Sequence, residues 1–290
     1  MIEKMNIQCI RKLQSMMFSS CNKVNRFNTI YSIIAECNKG QPKLGVERGP
    51  RSILENMNLS FDDHFEVSQN DFNQGKGYCT LSNITKQLID KHYFTMTFGG
   101  DHSISSSIIP HYFNMYREDL HLVWIDAHGD LHTHETSESK NTHGMVLGQI
   151  LGETPNHVQN IDYVPNKGQI TLIGTRDLDH YEIEYCMNHN IDMYSTDKIQ
   201  RLEFPVGFNI KNKSIYVSFD VDALCPSILD STGTLVENGL KLRDIRLVMD
   251  NLKMNNNRIV GCDIVEFNPS IGNPQKSLKS INKCIYSIIS

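Results

Sequence analysis

The sequence predicts a single doubly wound α/β domain on a mainly parallel sheet, and three observations predict it. Short apolar, β-rich runs alternate with segments of helical spacing from about residue 28 onward. The run 120–125, LHLVWI, lacks the in-out alternation of a half-exposed strand, as expected where helices cover both faces of a sheet. Polar residues collect where the runs stop, and in an open α/β sheet ligands bind at the carboxyl ends of strands. A closed eight-stranded barrel shares the alternation, and periodicity alone leaves it open.

At 290 residues and 39% hydrophobic, the chain has material for one large α/β domain or two smaller ones. A formal net charge of −5 gives no basic footprint for nucleic acid or an anionic membrane surface, so the expected partner is a small molecule. No apolar run approaches the about 18 residues of a membrane span. The eight cysteines (9, 21, 37, 79, 186, 225, 262 and 284) form no CxxC pair, which reads as reduced thiols in an intracellular protein.

Residues 1–26 carry five basic residues against one acidic. They are set apart as an N-terminal extension, disordered or helical, with a loose similarity to a mitochondrial transit peptide. The expected compartment is the cytoplasm, with mitochondria as the alternative; the folded domain is expected over 27–290. Residues 28–36 read as the first buried strand. A Gly/Pro-punctuated loop, 40–50, leads to a helix starting near Pro50, a residue favoured at a first helical position. Between 60 and 77 the pattern is weak and predicts an irregular connection with at most one short strand.

A helix over 81–91 leads into the strand 93–98, YFTMTF, which stops at Gly99-Gly100-Asp101-His102-Ser103. Paired glycines let the backbone turn tightly there and free His102 to enter the strand-end crevice. A helix over 103–116 returns the chain to the strand 121–126, and the usual crossover predicts that these two strands are parallel neighbours. The second strand ends in Asp126, His128 and Asp130. A helix over 144–152 and a strand over 169–174 follow. That strand runs out in Thr175-Arg176-Asp177-Leu178-Asp179, ahead of a helix with Glu182 in its first turns. A short strand at 191–194 precedes the apolar run 214–219, which ends in Asp220-Val221-Asp222. A helix over 240–253, a strand over 258–264 ending in Val265-Glu266-Phe267-Asn268-Pro269, and a helix over 275–289 complete the pattern.

The strand ends thus collect His102, Asp126, His128, Asp130, Asp220 and Asp222: four carboxylates and two imidazoles, with no thiolate. A solvated turn accounts equally well for an isolated Asp-x-His-x-Asp. Recurrence of the pattern favours a shared positive partner, because carboxylates at the edge of a core are costly without one. An oxygen-rich set with some imidazole suits Mn²⁺ or a similar divalent ion. Six ligands are too many for one catalytic zinc, whereas two ions sharing bridging carboxylates fit the count and would make water nucleophilic near neutral pH.

Gly99-Gly100-Asp101-His102-Ser103, Asp126-Ala127-His128-Gly129-Asp130 and Ser218-Phe219-Asp220-Val221-Asp222 together resemble the three motifs of the ureohydrolase family, which includes arginase, agmatinase and formiminoglutamase. The resemblance runs from about residue 28 to the end. It implies an α/β/α sandwich of three layers on a mainly parallel eight-stranded sheet, the arginase/deacetylase-like arrangement, which decides against the barrel. It implies two Mn²⁺ per subunit, one held by His102, Asp126, Asp130 and Asp220, the other by Asp126, His128, Asp220 and Asp222. It further implies a homo-oligomer, trimer or hexamer.

The loop 40–50 and Asn141-Thr142-His143-Gly144-Met145 resemble arginase more than agmatinase. By that resemblance Asp177, Asp179 and Glu182 would recognise a substrate α-amino group, Ser139 and His132 would lie toward its α-carboxylate, and Asn141 would belong to the substrate-binding set. Glu266 would orient the guanidinium beside Thr234. Asp130 would hand a proton to the departing amino group, and His143 would shuttle protons, its ordinary pKa near 6.5 letting it take and give near neutrality. The implied reaction is hydrolysis of L-arginine to L-ornithine and urea.

Three positions depart from the family pattern. His132 stands where Asn is common, Cys225 where the third motif carries Asp, and Leu235 where Pro follows Thr-Gly-Thr. Cys225 predicts weaker support around the metal ligands, since outer groups orient ligands. Two alternatives stay open: agmatinase or another guanidino or formimino ureohydrolase, and a non-catalytic binding protein on an arginase scaffold.

Overall fold

The structure, a computed structural model, describes residues 30–156, 158 and 161–290, so the N-terminal extension lies outside the described residues. Eight strands form one all-parallel sheet: β1 (Ile30–Ala35), β2 (Asp63–Val67), β3 (Phe94–Gly99), β4 (Leu120–Ile125), β5 (Ile170–Ile173), β6 (Asp192–Tyr194), β7 (Ser214–Asp220) and β8 (Arg258–Val265). The helices are α1 (Gly49–Glu55), α2 (Gln69–Asn73), α3 (Gly77–Ile89), α4 (Ile109–Tyr116), α5 (Val146–Ile150), α6 (His180–Asn188), α7 (Thr196–Arg201), α8 (Leu242–Leu252) and α9 (Pro274–Ile289). On one face, Val217, Phe219 and Ile264 pack with α8 and α9 through Val248, Leu252, Ile281 and Ile285. On the other, Leu122, Trp124 and Tyr216 pack with α3, α4 and α5 through Leu81, Leu88, Phe113 and Leu147. Burying both faces gives the three-layer sandwich and explains strands with no polar face.

The strand order is β2-β1-β3-β8-β7-β4-β5-β6, which corrects one expectation. β3 and β4 are not neighbours: β8 and β7 lie between them. The connection between β3 and β4 leaves a gap two strands wide, and the two late strands fill it, buried along almost their whole length. The carboxyl ends of β3, β8, β7 and β4 stand in consecutive order at the centre of the sheet, where sequence-distant motifs meet.

Local details follow from sequence. The helix expected over 103–116 is split into a 3-10 turn, His102–Ser107, and α4, because Pro110 cannot sit inside a helix and takes its first turn. The weak 60–77 stretch contains both β2 and α2, the latter closed by a Ser68–Asp71 capping box. Gly100 packs so closely on the Cys37 carbonyl that a Cβ there would collide with backbone. Gly100→Ala is therefore expected to lower stability by about 1–3 kcal/mol, read as an earlier urea midpoint. An unchanged midpoint would mean that the turn below His102 yields freely.

Candidate active site

Each polar strand end is held by its own backbone. After β3, Asp101 caps the following turn by accepting the Ser103 N–H at 2.9 Å, and the turn delivers His102. After β4, Asp126 accepts the His128 N–H at 2.8 Å, and after β7, Asp220 accepts the Asp222 N–H at 2.8 Å. In Asp126 and Asp220 the turn engages Oδ1 and leaves Oδ2 for a shared centre, whereas Asp101 gives its second oxygen to the Gly40 N–H.

That centre is dense with donors. His102 Nδ1 lies 3.2 Å from Asp126 Oδ2, 3.2 Å from Asp130 Oδ2 and 3.3 Å from Asp220 Oδ2. His128 Nδ1 lies 3.3 Å from Asp126 Oδ1 and 3.2 Å from Asp222 Oδ2. Asp126 thus lies between two nests, His102/Asp126/Asp130 and Asp126/His128/Asp222, and either could hold a cation. The six residues expected at the strand ends all meet here. His102 Nδ1 and Asp126 Oδ2 are buried and, among the described residues, have no hydrogen-bond partner of proper geometry. Buried polar atoms are seldom left so, which fits a ligand-binding role; the oxygen-rich set suits a hard to borderline divalent ion.

Electrostatics give the same result. Burial alone would strip the proton from His102, but Asp126, Asp130 and Asp220 outweigh it and hold the imidazole well above its ordinary range. His128 is raised too, with Asp222 and Asp126 overcoming its burial. Burial and neighbouring carboxylates push Asp220 and Asp130 up, whereas the two imidazoles hold Asp126 low despite its burial. Burial and like charge thus oppose full ionisation of Asp130 and Asp220, an opposition that added positive charge would relieve.

Glu266 closes one side. Its Oε1 accepts the His102 backbone N–H at 2.8 Å and lies 3.3 Å from His143 Nδ1. That contact lifts His143 to about 9 in spite of burial, so at neutral pH the ring is charged and stands ready to donate. The ordinary imidazole value assumed from sequence omits this buried partner. Asp130 and Glu266 both adopt left-handed backbone, at φ 51° and 67°. Such conformations cost about 1–3 kcal/mol and concentrate at functional sites. Here Asp130 O is pinned by Leu147 and Gly148 N–H groups, and Glu266 N–H by the Gly100 carbonyl.

The remaining expected residues divide. Thr234 Oγ1 donates to Asp222 Oδ2 at 2.6 Å and belongs to the cluster. Asp177 Oδ2 lies 3.6 Å from His128 Nε2 at the exposed rim. Asp179 caps α6 by accepting the Glu182 N–H at 2.9 Å, and its other oxygen lies 3.2 Å from His132 Nε2. Glu182 is buried and braces the loop after β4 by accepting the Leu131 N–H at 3.2 Å. Burial pushes its carboxyl up to about 7. Ser139 is exposed and accepts the Asn141 N–H at 3.2 Å, within their own loop. The Cys225 thiol accepts from Ser227 Oγ at 3.1 Å.

Three sets of contacts escaped the sequence reading. His102 Nε2 is 2.9 Å from Ser218 Oγ, which donates to Asp263 at 2.7 Å, and the ring stacks on Trp124 with centroids 4.2 Å apart. An Asp inside the apolar run of β8 was the available signal. Arg176 donates to the carbonyls of Gly174, Asp222, Ala223, Val236 and Glu237, tying together the loops behind Asp222. Gln41 donates to Glu266 Oε2.

A three-layer α/β/α sandwich with paired carboxylate–imidazole nests at its central strand ends is the scaffold of a metal-binding α/β protein with its candidate site at the sheet's carboxyl edge. The chain belongs to the arginase family, whose model matches residues 30–290. It is 32% identical to an arginase of Staphylococcus aureus over 80% of this chain and 87% of the relative. Among solved structures, arginase from Bacillus subtilis superposes with a TM-score of 0.80 at 28% identity, covering 91% of this chain and 99% of the other. Entamoeba histolytica arginase in complex with L-ornithine superposes with a TM-score of 0.78 at 27% identity, covering 91% and 99%. As in that family, this chain is a hydrolase of C–N bonds in linear amidines.

Proposed function

We propose that the chain is a Mn²⁺-dependent arginase, cleaving L-arginine to L-ornithine and urea as a homo-oligomer, trimer or hexamer. The observation that carries this reading is the Asp126-centred pair of nests with Glu266 fixed against His102. His102, Asp126, Asp130 and Asp220 would hold one Mn²⁺, and Asp126, His128, Asp220 and Asp222 the other. When bound, two such ions supply water activated near neutral pH. Glu266, an acceptor with both oxygens oriented, would align the guanidinium N–H groups for attack at carbon. Asp130 would accept the proton of the attacking water and pass it toward the leaving nitrogen. His143, charged at neutral pH through its contact with Glu266, would protonate the departing amine. Asp177, at the rim beside His128, would receive the α-amino group.

One observation favours a second reading. Asp179 is already engaged by His132 and by the α6 backbone, which reduces what it can offer an α-amino group, so agmatine is the competing substrate. The deciding test is urea release by metal-stripped protein reloaded with Mn²⁺, assayed in parallel on L-arginine, agmatine and formiminoglutamate. The expected result is Mn²⁺-dependent turnover with arginine preferred. Preference for agmatine would replace the substrate assignment, and manganese binding without any turnover would favour the binding-protein alternative.

A further inference from the structure

We infer that Gln41 is a positioning residue that acts through Glu266, fixing the carboxylate that faces the reacting end of the substrate; the functional consequence rests on the guanidino-hydrolase reading above. Gln41 is buried, at 8% exposure, although it lies on a loop. Glu266 Oε1 has two partners, the His102 N–H and His143, whereas Oε2 receives the Gln41 amide. The Gln41 NH₂ faces that oxygen, and the Gln41 carbonyl then lies toward Gly233. The amide thereby sets the rotation of the carboxylate plane that the other two contacts leave free.

The loop is built to hold that amide. The Gly40 N–H donates to Asp101 Oδ2 at 2.9 Å, and the Gly40 carbonyl accepts the His143 N–H at 3.2 Å. Lys43 Nζ donates to the Gly233 carbonyl, and Asn268 Nδ2 to the Leu44 carbonyl at 3.0 Å. Gly40 packs on the Asp101 side chain, and Gly45, at φ 105°, packs on Asn268 and Ser270. Five residues from far upstream are thus tied to the ends of β3 and β8, to the Thr232–Thr234 loop and to the turn bearing His143. Gln41 stands at the start of that strap, directly after Gly40.

The test compares the wild type with Gln41→Met, which keeps the length of the side chain but cannot donate, and with Gln41→Asn, which keeps the amide one methylene short. KM for arginine, inhibition by ornithine, bound manganese and the crystal structure are measured for each. The expected result is a roughly tenfold rise in KM for arginine, with ornithine inhibition changed by less than about twofold, because ornithine lacks the guanidinium. Manganese content stays unchanged, and the Glu266 carboxylate rotates away from its wild-type plane. Equal weakening of arginine and ornithine, or no weakening of either, overturns the inference. So does a Glu266 that keeps its orientation. Should the wild type not hydrolyse arginine, the functional reading fails on that result, and the orientation of Glu266 in the variants still decides the positioning role. Either variant suffices if the other does not fold.

Discussion

Asp126→Ala is expected to reduce urea release by on the order of a thousandfold or more, and to do so by emptying both nests. Asp126 is the carboxylate that lies within 3.3 Å of both imidazoles, one oxygen toward each. It is also fully buried, and its Oδ1 organises the following turn through the His128 N–H. Removing it deletes a donor from each nest and releases the turn that aims His128. Asp222 provides the internal comparison. It touches His128 and Thr234 and belongs to the Asp126/His128/Asp222 nest, so Asp222→Ala should weaken one ion more than the other. Manganese per chain, measured by atomic absorption beside the rate, separates these patterns. An Asp126→Ala protein that keeps two ions and turns over within tenfold of the wild type would remove the shared-ligand assignment.

The strand ends were legible in sequence because burial leaves a simple trace: an apolar run that stops abruptly in carboxylates and imidazoles. His102, Asp126, His128, Asp130, Asp220 and Asp222 each follow such a run, and they converge without any need to know the strand order. The order itself was not legible. Adjacency of β3 and β4 follows from local crossover preference, but β7 and β8, far later in the chain, occupy the gap through sheet pairing that no local pattern encodes. Contacts made by loops were hidden for the same reason. Gln41 reads as a polar loop residue, and nothing near it in sequence shows that Glu266, 225 positions away, receives its amide. Asp179 shows the converse problem. A carboxylate three residues before Glu182 reads equally as a ligand-binding group or a helix cap, and the structure makes it a cap that also meets His132.

Binding of Mn²⁺ is expected to release protons and to tighten steeply as pH rises. In the metal-free site, the carboxylates hold His102 and His128 protonated far above the ordinary imidazole range, while burial and like charge hold Asp220 protonated above the ordinary carboxylate range. A metal ligand must be deprotonated, so each ion displaces protons when it binds. Displacing about two imidazolium protons makes the apparent affinity change by roughly a hundredfold per pH unit, as each proton contributes about tenfold. The sign for stability follows from the same shifts. A folded-state pKa above its unfolded value contributes stability that is fully present below the unfolded pKa and fades as pH rises toward the folded one. Raised imidazoles and a raised carboxyl act in the same direction, so the metal-free protein loses stability toward alkaline pH. The loaded protein gains over the same interval, because stabilisation by a ligand grows with concentration relative to its dissociation constant. The gap in Tm between loaded and stripped protein therefore widens with pH. Calorimetric titration in buffers of different ionisation enthalpy counts the protons directly. Binding that releases none, with an affinity flat between pH 6 and 8, would show that the cluster carries no protons for the ions to displace.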